Sequence, residues 1–247
     1  MSNWLEACVL EHHRWHPDLS SLRVQLPGFD FKAGQFVRLG VDTPEGPMQR
    51  AYSLVNPPGE DVLEFLLTPV PDGKVSPRLH ALEAGDSVRV SASATGFFTL
   101  DELPDGKTLW LIGTGTGIGP YFSILGTPEP WQRFERILLV HGVRRAADLV
   151  YPERILQWQQ QHPQRFHYQP VVTREPLDGA LSDRLPQLIR EGRLQAACNS
   201  GFDTDSQVML CGNPQMIREV RSELEEFGLR KNLRRSPGHI TAEQYWN

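Results

Sequence analysis

The stretch Gln49-Arg50-Ala51-Tyr52-Ser53-Leu54 organises the first half of the chain. Two sets of side chains alternate from Arg50 to Val55, and Asn56-Pro57-Pro58-Gly59 ends the run, a pattern that predicts a β-strand. A guanidinium suits a diphosphate, because its planar donors pair two oxygens at once. A tyrosine face can stack on a flat heterocycle, and a nearby hydroxyl can hydrogen-bond a ring nitrogen. Taken alone, these residues also fit an ordinary barrel strand with one surface arginine and one half-buried tyrosine.

The composition is that of a folded protein without the marks of a nucleic-acid or membrane binder. With 247 residues and 39% hydrophobic side chains, the chain can bury a substantial core in one large domain or two of average size. Its net charge of −5 argues against general nucleic-acid binding, which relies on a basic surface. No apolar run approaches a membrane span, and the first six residues do not resemble a secretory signal. We therefore expect a soluble, cytoplasmic protein.

The cysteines and histidines form no recognisable metal or disulfide pattern. Cys8, Cys198 and Cys211 have no CxxC spacing among them, so we expect no disulfide framework. Three cysteines are also too few for an all-cysteine iron–sulfur site within this chain. The histidines include the adjacent pair His12-His13 but no HExxH or His/Cys ligand spacing, and we expect no metal site.

Residues 3–98 contain short alternating runs that are separated by turn signals. The runs predict strands at Trp4–Leu10, Leu22–Leu26, Gln35–Val41, Arg50–Val55, Val62–Thr68 and Ser87–Ser93. Six strands without intervening long helices predict a small antiparallel barrel. One short helix interrupts them, with Ser76 as its N-cap, Pro77 at its first position and an end near Leu82. Its N-terminus, next to Lys74, is a natural anion site, although a routine cap between two strands explains the residues equally well.

Beyond the polar, turn-rich segment 101–107, strands alternate with helical patterns. We interpret that segment as a linker between a first domain, residues 1–100, and a second domain, residues 108–247. Apolar runs of strand length lie at Thr108–Ile112, Ile137–His141, His167–Thr173 and Val208–Cys211. Helices are predicted at Tyr151–Gln161, at Asp183–Arg190, and from an Asn213 cap to Gly228, the last with an apolar face of Met216, Ile217, Val220, Leu224 and Phe227. This alternation predicts a parallel sheet covered on both sides.

The loop Gly113-Thr114-Gly115-Thr116-Gly117-Ile118-Gly119-Pro120 follows a buried strand and opens a helix. Glycines let the backbone approach a ligand closely, and the N-terminus of the next helix favours phosphate. The spacing is not the GxGxxG fingerprint, because Ile118 stands at the third glycine position, and no Lys follows as in a Walker loop. The loop therefore indicates a nucleotide without saying which one.

Cys211-Gly212-Asn213-Pro214 forms a second turn from strand to helix. Both turns fall at the carboxyl edge of a parallel sheet, where ligands bind, so Cys211 is expected at the mouth of a site, although many cysteines at strand ends are inert. Arginines follow the ends of other strands at Arg144, Arg145, Arg174 and Arg184. Each one alone is an ordinary solvated charge. Together they suit the 2′-phosphate of NADP, whereas an NAD site more often shows Asp or Glu.

Taken together, these motifs resemble the ferredoxin–NADP reductase family. Arg50-Ala51-Tyr52-Ser53, the Gly113–Pro120 loop and Cys211-Gly212-Asn213-Pro214 occur in the same order and domains as in that family. The closing stretch from Ser236 to Trp246 is similar to the tail of the bacterial ferredoxin/flavodoxin–NADP reductases, although Asn247 follows the Trp here. The resemblance implies a six-stranded antiparallel Greek-key FAD-binding barrel, followed by an α/β NADP-binding domain with a parallel sheet, with the flavin at their junction.

The resemblance also implies roles for individual residues. Arg50 would hold the FAD phosphates, Tyr52 after Ala51 would stack on the isoalloxazine, and Ser53 would hydrogen-bond near flavin N5. The rest of the FAD would meet Leu67 and Thr68 along the ribityl chain, Lys74, Val75 and Ser76 at the diphosphate, Thr116 at the flavin and Trp246 at the adenine. Cys211, followed by Gly212 and Asn213, would lie beside the nicotinamide. The 2′-phosphate end of NADP would meet Val143, Arg144, Thr173, Arg174 and Arg184.

The implied activity is electron exchange between NADPH and a one-electron carrier protein. NADPH would pass a hydride to flavin N5, flanked by Ser53 and Cys211 as the catalytic pair without either acting as a nucleophile, and Glu243 is a candidate for proton movement. Because the chain cannot supply a four-cysteine cluster, the acceptor should be a separate ferredoxin or flavodoxin. The basic cluster from Arg230 to Arg235 would help to dock such an acidic carrier.

Two alternatives stay open at this point, and we expect a monomer in each enzymatic case. One is an NADPH-dependent flavin or quinone reductase (diaphorase) of the same fold, whose natural acceptor is a small molecule. The other is a non-catalytic electron-transfer subunit of a larger complex. The arginines at the strand ends argue against the second, because a subunit without its own NADP site has little need of them.

Overall fold

The computed structural model describes residues 4–244, which fall into two compact units. The first unit contains the chain up to Leu100 together with Gly119–Pro128, and the second contains Asp101–Ile118 and the chain from Glu129 onward. The polar segment 101–107 thus belongs to the second unit, while Gly119–Pro128, beyond that segment, belongs to the first. Within residues 4–244 the structure has no helix long and apolar enough to cross a lipid bilayer.

A six-stranded antiparallel sheet makes up most of the first unit. Its strands are β1 (Trp4–His16), β2 (Leu19–Gln25), β3 (Phe36–Thr43), β4 (Gly46–Ser53), β5 (Val62–Leu67) and β6 (Ser87–Ser91), arranged in the order β4-β3-β6-β1-β2-β5. Just beyond β4, the Val55 N–H donates to the Glu64 carbonyl of β5 at 2.9 Å. The two edge strands therefore approach each other, and the sheet curls as a barrel does. The predicted six-stranded antiparallel fold is confirmed.

The core of the first unit follows from the two-residue period of its strands. Alternate side chains of a strand point to opposite faces, and the inward set is apolar. Fully buried members of this core include Leu22, Val24, Leu39, Leu63, Phe65, Leu67 and Val90. Burying one such side chain contributes on the order of 1.5–3 kcal/mol, so the core fixes which face of each strand looks outward.

The short helix α1 (Ser76–His80) differs from its prediction at both ends. The residue before the helix is Val75, and the Ser76 hydroxyl instead accepts a hydrogen bond from the Val70 N–H at 3.0 Å. The predicted N-cap role of Ser76 is therefore wrong, because its hydroxyl closes the preceding loop. Pro77 lies in the first turn, as predicted, and the helix ends two residues before Leu82.

A five-stranded parallel sheet forms the second unit. Its strands are β7 (Thr108–Thr114), β8 (Arg136–Val143), β9 (Phe166–Val172), β10 (Ser206–Gly212) and β11 (Ile240–Gln244), in the order β11-β10-β7-β8-β9. The helices after Leu100 are α2 (Gly119–Leu125), α3 (Glu129–Arg133), α4 (Pro152–Gln161), α5 (Leu185–Arg190), α6 (Arg193–Cys198) and α7 (Pro214–Glu226). The predicted parallel sheet with alternating helices is confirmed, since the central strands are apolar and buried.

Helix α7 begins as its sequence predicts and ends slightly earlier. The Asn213 side chain accepts hydrogen bonds from the N–H groups of Gln215 (2.8 Å) and Met216 (3.1 Å), as expected of an N-cap. Four of its five predicted apolar residues, Met216, Ile217, Val220 and Leu224, are buried. Phe227 is 41% exposed, because the helix ends at Glu226 and Gly228 turns the chain with a φ of +81°. Its ring nevertheless lies 5.7 Å from that of the core residue Phe202, so Phe227 covers the edge of the predicted apolar face.

The sequence did not predict β11, which adds the end of the described chain to the sheet beside β10. Asn232 anchors this region by donating to the Glu102 carbonyl (2.8 Å) and to Thr241 Oγ1 (3.1 Å). Ile240 is the one buried side chain of this edge strand, so the sequence lacks the apolar run of an internal parallel strand. Tyr245, Trp246 and Asn247 lie outside the described residues, and with them the predicted adenine contact of Trp246.

Candidate functional site

In the first unit, the edge strand β4 presents the Arg50–Ser53 motif. Arg50 lies opposite Leu39 and Tyr52 opposite Val37 of β3, which is the neighbour of β4 in the sheet. Arg50 and Ala51 are exposed, Tyr52 is half-buried and Ser53 is buried. Because residues two apart share a face of a strand, the guanidinium and the phenol ring are presented side by side, as the sequence pattern predicts.

The charges of this motif suit an anion beside a flat ring. The Arg50 guanidinium donates to the carbonyl of its neighbour Gln49 at 2.8 Å, and no carboxylate pairs with it within residues 4–244. Burial raises the pKa of Tyr52 to about 12, and the charge of Arg50 acts in the opposite direction. The phenol therefore stays protonated near neutral pH, and β4 offers one unpaired cation next to one neutral aromatic face.

The loop between β5 and α1 contributes a second set of predicted residues. Leu67 is buried at the end of β5, and Thr68 is exposed. Lys74 Nζ lies 2.9 Å from Glu45 Oε2, and this contact lowers the pKa of the Glu45 carboxyl. Glu45 lies in the turn that leads into β4, so the ion pair holds the loop beside the hairpin that carries Arg50. The pair is exposed, and a phosphate could compete with Glu45 for Lys74.

In the second unit, the two predicted turns from strand to helix interlock. The Asn213 N–H donates to Thr114 Oγ1 at 3.0 Å. A Cβ added to Gly212, where φ is +123°, would lie 2.3 Å from the same Thr114 oxygen, and one added to Gly117 would lie 2.7 Å from the Cys211 carbonyl oxygen. Two of the glycines are therefore required by the contact between the turns. Gly115 differs, since a Cβ there would have open space around it.

Cys211 lies at the carboxyl end of β10, as predicted, but its side chain is fully buried. Its register partners are Gly113 on one side and Glu243 on the other, and Gly113 is in turn the partner of His141. Residues in register on neighbouring parallel strands present their side chains to the same face. The structure thus aligns Glu243, Cys211 and His141 in one row that crosses the sheet at the Gly113 position.

His141 is the residue of this row that sequence reasoning missed. Its Nε2 lies 3.0 Å from the Gly115 carbonyl oxygen, and its Nδ1 is buried without a hydrogen-bond partner in the described part of the chain. Burial lowers the pKa of His141 to about 4, so the ring is neutral near pH 7. The sequence signal that could have found it is a histidine at the end of an apolar strand, at the same edge of the predicted sheet as the glycine loop.

Backbone hydrogen bonds beyond β8 and β9 bring two of the predicted arginines together. The Arg174 N–H donates to the Arg144 carbonyl at 2.9 Å, and the Thr173 N–H donates to the Val143 carbonyl at 3.1 Å. Arg144 and Arg174 are exposed, and neither guanidinium has a carboxylate partner among residues 4–244. Two unpaired guanidinium groups on residues joined by a backbone hydrogen bond can receive a phosphate, as the sequence predicts.

Arg184 is placed differently from these two arginines. It is the residue before α5, and its Nη2 lies 2.7 Å from Glu219 Oε2 on α7. Its charge is thus already balanced by a carboxylate. The contacts of Arg184 tie it to α7, and no described contact joins it to Arg144 or Arg174.

The side chains of both units fit the groups that the motifs imply. The first unit offers the unpaired Arg50 and the neutral Tyr52 ring to a diphosphate and a flavin. The second unit offers open space beside Gly115 and the unpaired pair Arg144 and Arg174 to a phosphorylated nucleotide. No group of three or more potential metal ligands occurs within the described range 4–244.

Two family models match successive parts of the chain. Residues 6–98 match the family model of the oxidoreductase FAD-binding domain, and residues 111–222 match that of the oxidoreductase NAD-binding domain. A flavodoxin/ferredoxin–NADP reductase of Escherichia coli (strain K12) is 46% identical over 248 residues, which cover 100% of both chains. A ferredoxin–NADP reductase of Pseudomonas aeruginosa is 37% identical over 255 residues, covering 99% of this chain and 98% of the relative.

The fold agrees with that of a solved relative. The crystal structure of a ferredoxin NADP+ reductase from Neisseria gonorrhoeae with bound FAD and NADP superposes with a TM-score of 0.94, at 32% identity and with 100% of both chains covered. Sequence and fold therefore agree over the full length of the chain, which belongs to the flavodoxin/ferredoxin–NADP reductase family.

Proposed function

We propose that this protein is an FAD-dependent oxidoreductase that exchanges electrons between NADPH and a ferredoxin or flavodoxin. The observation that carries the proposal is the 46% identity to a flavodoxin/ferredoxin–NADP reductase over the whole chain. The matches of one half to an FAD-binding domain and of the other to an NAD-binding domain support it independently. When bound, the cofactors supply the chemistry, which is two-electron transfer from the nicotinamide to the flavin and one-electron transfer to the carrier.

The first unit's part is to hold the FAD. The exposed guanidinium of Arg50 binds the phosphates, the neutral ring of Tyr52 stacks on the isoalloxazine with Ala51 beside it, and the Ser53 hydroxyl donates near flavin N5. Lys74 exchanges its exposed partner Glu45 for the diphosphate, next to Val75. Ser76 accepts from the Val70 N–H and so keeps its own O–H proton for a phosphate oxygen. Leu67 and Thr68 line the ribityl chain.

The second unit's part is to hold the NADP(H). Arg144 and Arg174, with Val143 and Thr173 beneath them, bind the 2′-phosphate, and Arg184 assists when it releases Glu219. Cys211, Gly212 and Asn213 shape the nicotinamide site, and Thr116 meets the flavin. Since Cys211 is buried, it acts through its shape and polarisability and not as a nucleophile. These assignments rest on unpaired charge, burial and position at the carboxyl edge of the sheet.

A tight turn that carries two arginines supports the docking of an acidic carrier. Leu233 and Ser236 exchange two backbone hydrogen bonds, at 3.1 and 2.9 Å, which places Arg234 and Arg235 at the tip of a tight turn. Leu233 is 49% exposed, and Asn232 anchors the turn to the Glu102 carbonyl. An exposed apolar side chain beside Arg235 and Arg234, the latter 3.6 Å from Glu102 Oε1, suits a carrier with an acidic surface, because opposite charge speeds association and apolar contact then stabilises it.

The charge reversal of Arg234 and Arg235 to Glu tests this docking surface. We expect the KM for flavodoxin to rise about tenfold at low salt, less at high salt, with the KM for NADPH unchanged. The matched control reverses two charges on α7, Arg218 and Arg221 to Glu, of which Arg221 lies 3.6 Å from Glu225 much as Arg234 lies 3.6 Å from Glu102. Equal effects of both changes, or a carrier KM that is insensitive to salt, would refute the assignment.

The experiment that tests the function itself compares electron acceptors. Purified protein reconstituted with FAD is supplied with NADPH and either flavodoxin, ferredoxin, free FMN or a quinone. We expect the carrier proteins to give the largest kcat/KM. A protein that reduces the quinone well and the carriers no faster than free FMN would be a diaphorase, and one that oxidises no NADPH with any acceptor would not be a reductase.

We further propose a monomer that works in the cytoplasm, with its FAD domain in residues 1–100 and its NADP domain in residues 108–247. Cys8, Cys198 and Cys211 form no disulfide within the described residues, which supports a reducing compartment. Cell fractionation and sedimentation equilibrium test these two points. Limited proteolysis tests the boundary, since the first cleavage between the two matched domains should fall within 101–107.

A further inference from the structure

His141 makes a single hydrogen bond in the described part of the chain, and that bond fixes the state of its ring. A carbonyl oxygen only accepts hydrogen bonds, so Nε2, which lies 3.0 Å from the Gly115 oxygen, must carry the proton. Nδ1 is then an unprotonated acceptor, buried and without a partner within residues 4–244. The ring has no exposed surface, and burial lowers its pKa to about 4. His141 is therefore a neutral N–H donor near pH 7.

Gly115 is the residue at which β7 turns away from the sheet. Its φ of +55° is in the left-handed region, and a short 3-10 helix runs from Gly115 to Ile118. On the β10 side, the Asn213 N–H holds Thr114 Oγ1, and Gly117 packs on the Cys211 carbonyl. On the β8 side, His141 Nε2 holds the Gly115 carbonyl oxygen of this turn. The turn Thr114–Gly117 is thus held from both neighbouring strands.

A purely structural role does not account for the choice of histidine. An apolar side chain at this buried position would leave no unpaired ring nitrogen, whereas His141 leaves Nδ1 without a partner. Buried polar groups of this kind are usual where function constrains the sequence. The His141 side chain also shares a face of the sheet with Cys211, through the register row that includes Gly113.

We propose that His141 is a positioning residue for the nucleotide site: its Nε2–H fixes the Gly115 carbonyl and so holds the Thr114–Gly117 turn in the shape that receives the nicotinamide half of NADP(H). The inference rests on the proposed function. It concerns the nicotinamide half because the arginines assigned to the 2′-phosphate lie beyond β8 and β9, where Arg144 and Arg174 are held by their own backbone hydrogen bond.

The proposal is tested by equilibrium binding of two probes, NADP+ and 2′-phospho-AMP, to the FAD-loaded protein. His141→Leu removes the N–H donor and keeps a side chain of similar size. We expect NADP+ to bind about tenfold more weakly, which corresponds to one lost hydrogen bond. The affinity for 2′-phospho-AMP should stay within about twofold of wild type. His141→Gln carries an amide N–H2 near the position of Nε2, and we expect it to restore most of the NADP+ affinity.

The matched control is Leu139→Val, which disturbs the same face of β8 two residues earlier and leaves the hydrogen bond intact. We expect it to lower stability without weakening NADP+ binding. If Leu139→Val weakens NADP+ as much as His141→Leu, or if glutamine fails to restore affinity in a folded variant, His141 has only a general structural role. Wild-type protein that binds neither probe would instead refute the proposed function.

A spectroscopic measurement on the wild-type protein keeps the proposal testable if the leucine variant does not fold. Imidazole ¹⁵N spectra should show His141 as the neutral Nε2–H tautomer throughout the range from about pH 6 to about pH 8. A ring that carries its proton on Nδ1, or that titrates within this range, would overturn the proposal.

Discussion

The two units present their ligands with different parts of the chain. In the first unit, the edge strand β4 supplies side chains, and the Arg50 guanidinium donates to the carbonyl of its own neighbour Gln49. In the second unit, the turns at Gly117 and Gly212 supply backbone, with neighbouring atoms 2.7 and 2.3 Å from where a Cβ would lie. Substitution in the first site should therefore change binding and spare folding, whereas substitution in the second should affect folding first.

The largest effect is expected for Gly212→Ala, compared with Gly115→Ala. Both glycines have positive φ, which alone costs an alanine about 1 kcal/mol. Gly212 has in addition Thr114 Oγ1 and the Thr114 carbonyl oxygen inside contact distance, so we expect a loss of about 3 kcal/mol or more in the free energy of unfolding, against about 1 kcal/mol for Gly115. Urea unfolding measures both, and equal losses would show that the turns are not packed as described.

The next effect concerns NADP+ against NAD+. Arg174→Ala removes an unpaired guanidinium, and we expect NADP+ binding to weaken about 10- to 100-fold and NAD+ binding to stay within about twofold. Arg184→Ala should have a smaller effect, because Glu219 already neutralises that side chain. Isothermal titration calorimetry measures each affinity. A loss that is equal for the two dinucleotides would contradict the 2′-phosphate assignment of Arg174.

In the first unit, Arg50→Ala should weaken FAD binding about tenfold, because a charge-assisted pair with phosphate is lost. The apoprotein should keep its unfolding midpoint, since Arg50 is exposed and holds no other strand. Arg38→Ala, an exposed arginine on the neighbouring strand β3, is the control and should leave both quantities unchanged. Fluorescence titration of the apoprotein with FAD gives the affinities. If Arg50→Ala lowers the unfolding midpoint and leaves FAD binding unaltered, the first site would affect folding and not binding, contrary to this prediction.

The smallest effect is a pH dependence that belongs to the second unit. The pKa of His141 falls from 6.5 in the unfolded chain to about 4 in the fold, so the unfolded state binds the extra proton first as pH falls below 6.5. Stability is fully present above that pH and declines toward pH 4. From about pH 7.5 to about pH 5.5, the free energy of unfolding of the wild type should fall by about 1–2 kcal/mol more than that of His141→Gln. Urea unfolding of both proteins at the two pH values measures this difference. An equal loss of unfolding free energy in wild type and His141→Gln would contradict the prediction.

Local patterns account for most of what the sequence predicted. The alternation through Arg50–Ser53 and the Asn213 cap of α7 depend on residues next to one another in the chain, and both are confirmed as local structure. Three features depended on contacts outside the local pattern and were missed or wrong. Ser76 accepts from Val70 and so does not cap α1, Ile240 is the one fully buried residue of β11, and His141 finds Gly115 26 positions away.

The most direct measurement is an anaerobic visible titration of the purified protein, first with NADH and then with NADPH. We expect a yellow protein whose flavin absorbance is bleached by stoichiometric NADPH. NADH at the same concentration should reduce the flavin far more slowly. A polypeptide that stays colourless and takes up no FAD, or a bound flavin that NADPH leaves oxidised, would contradict it.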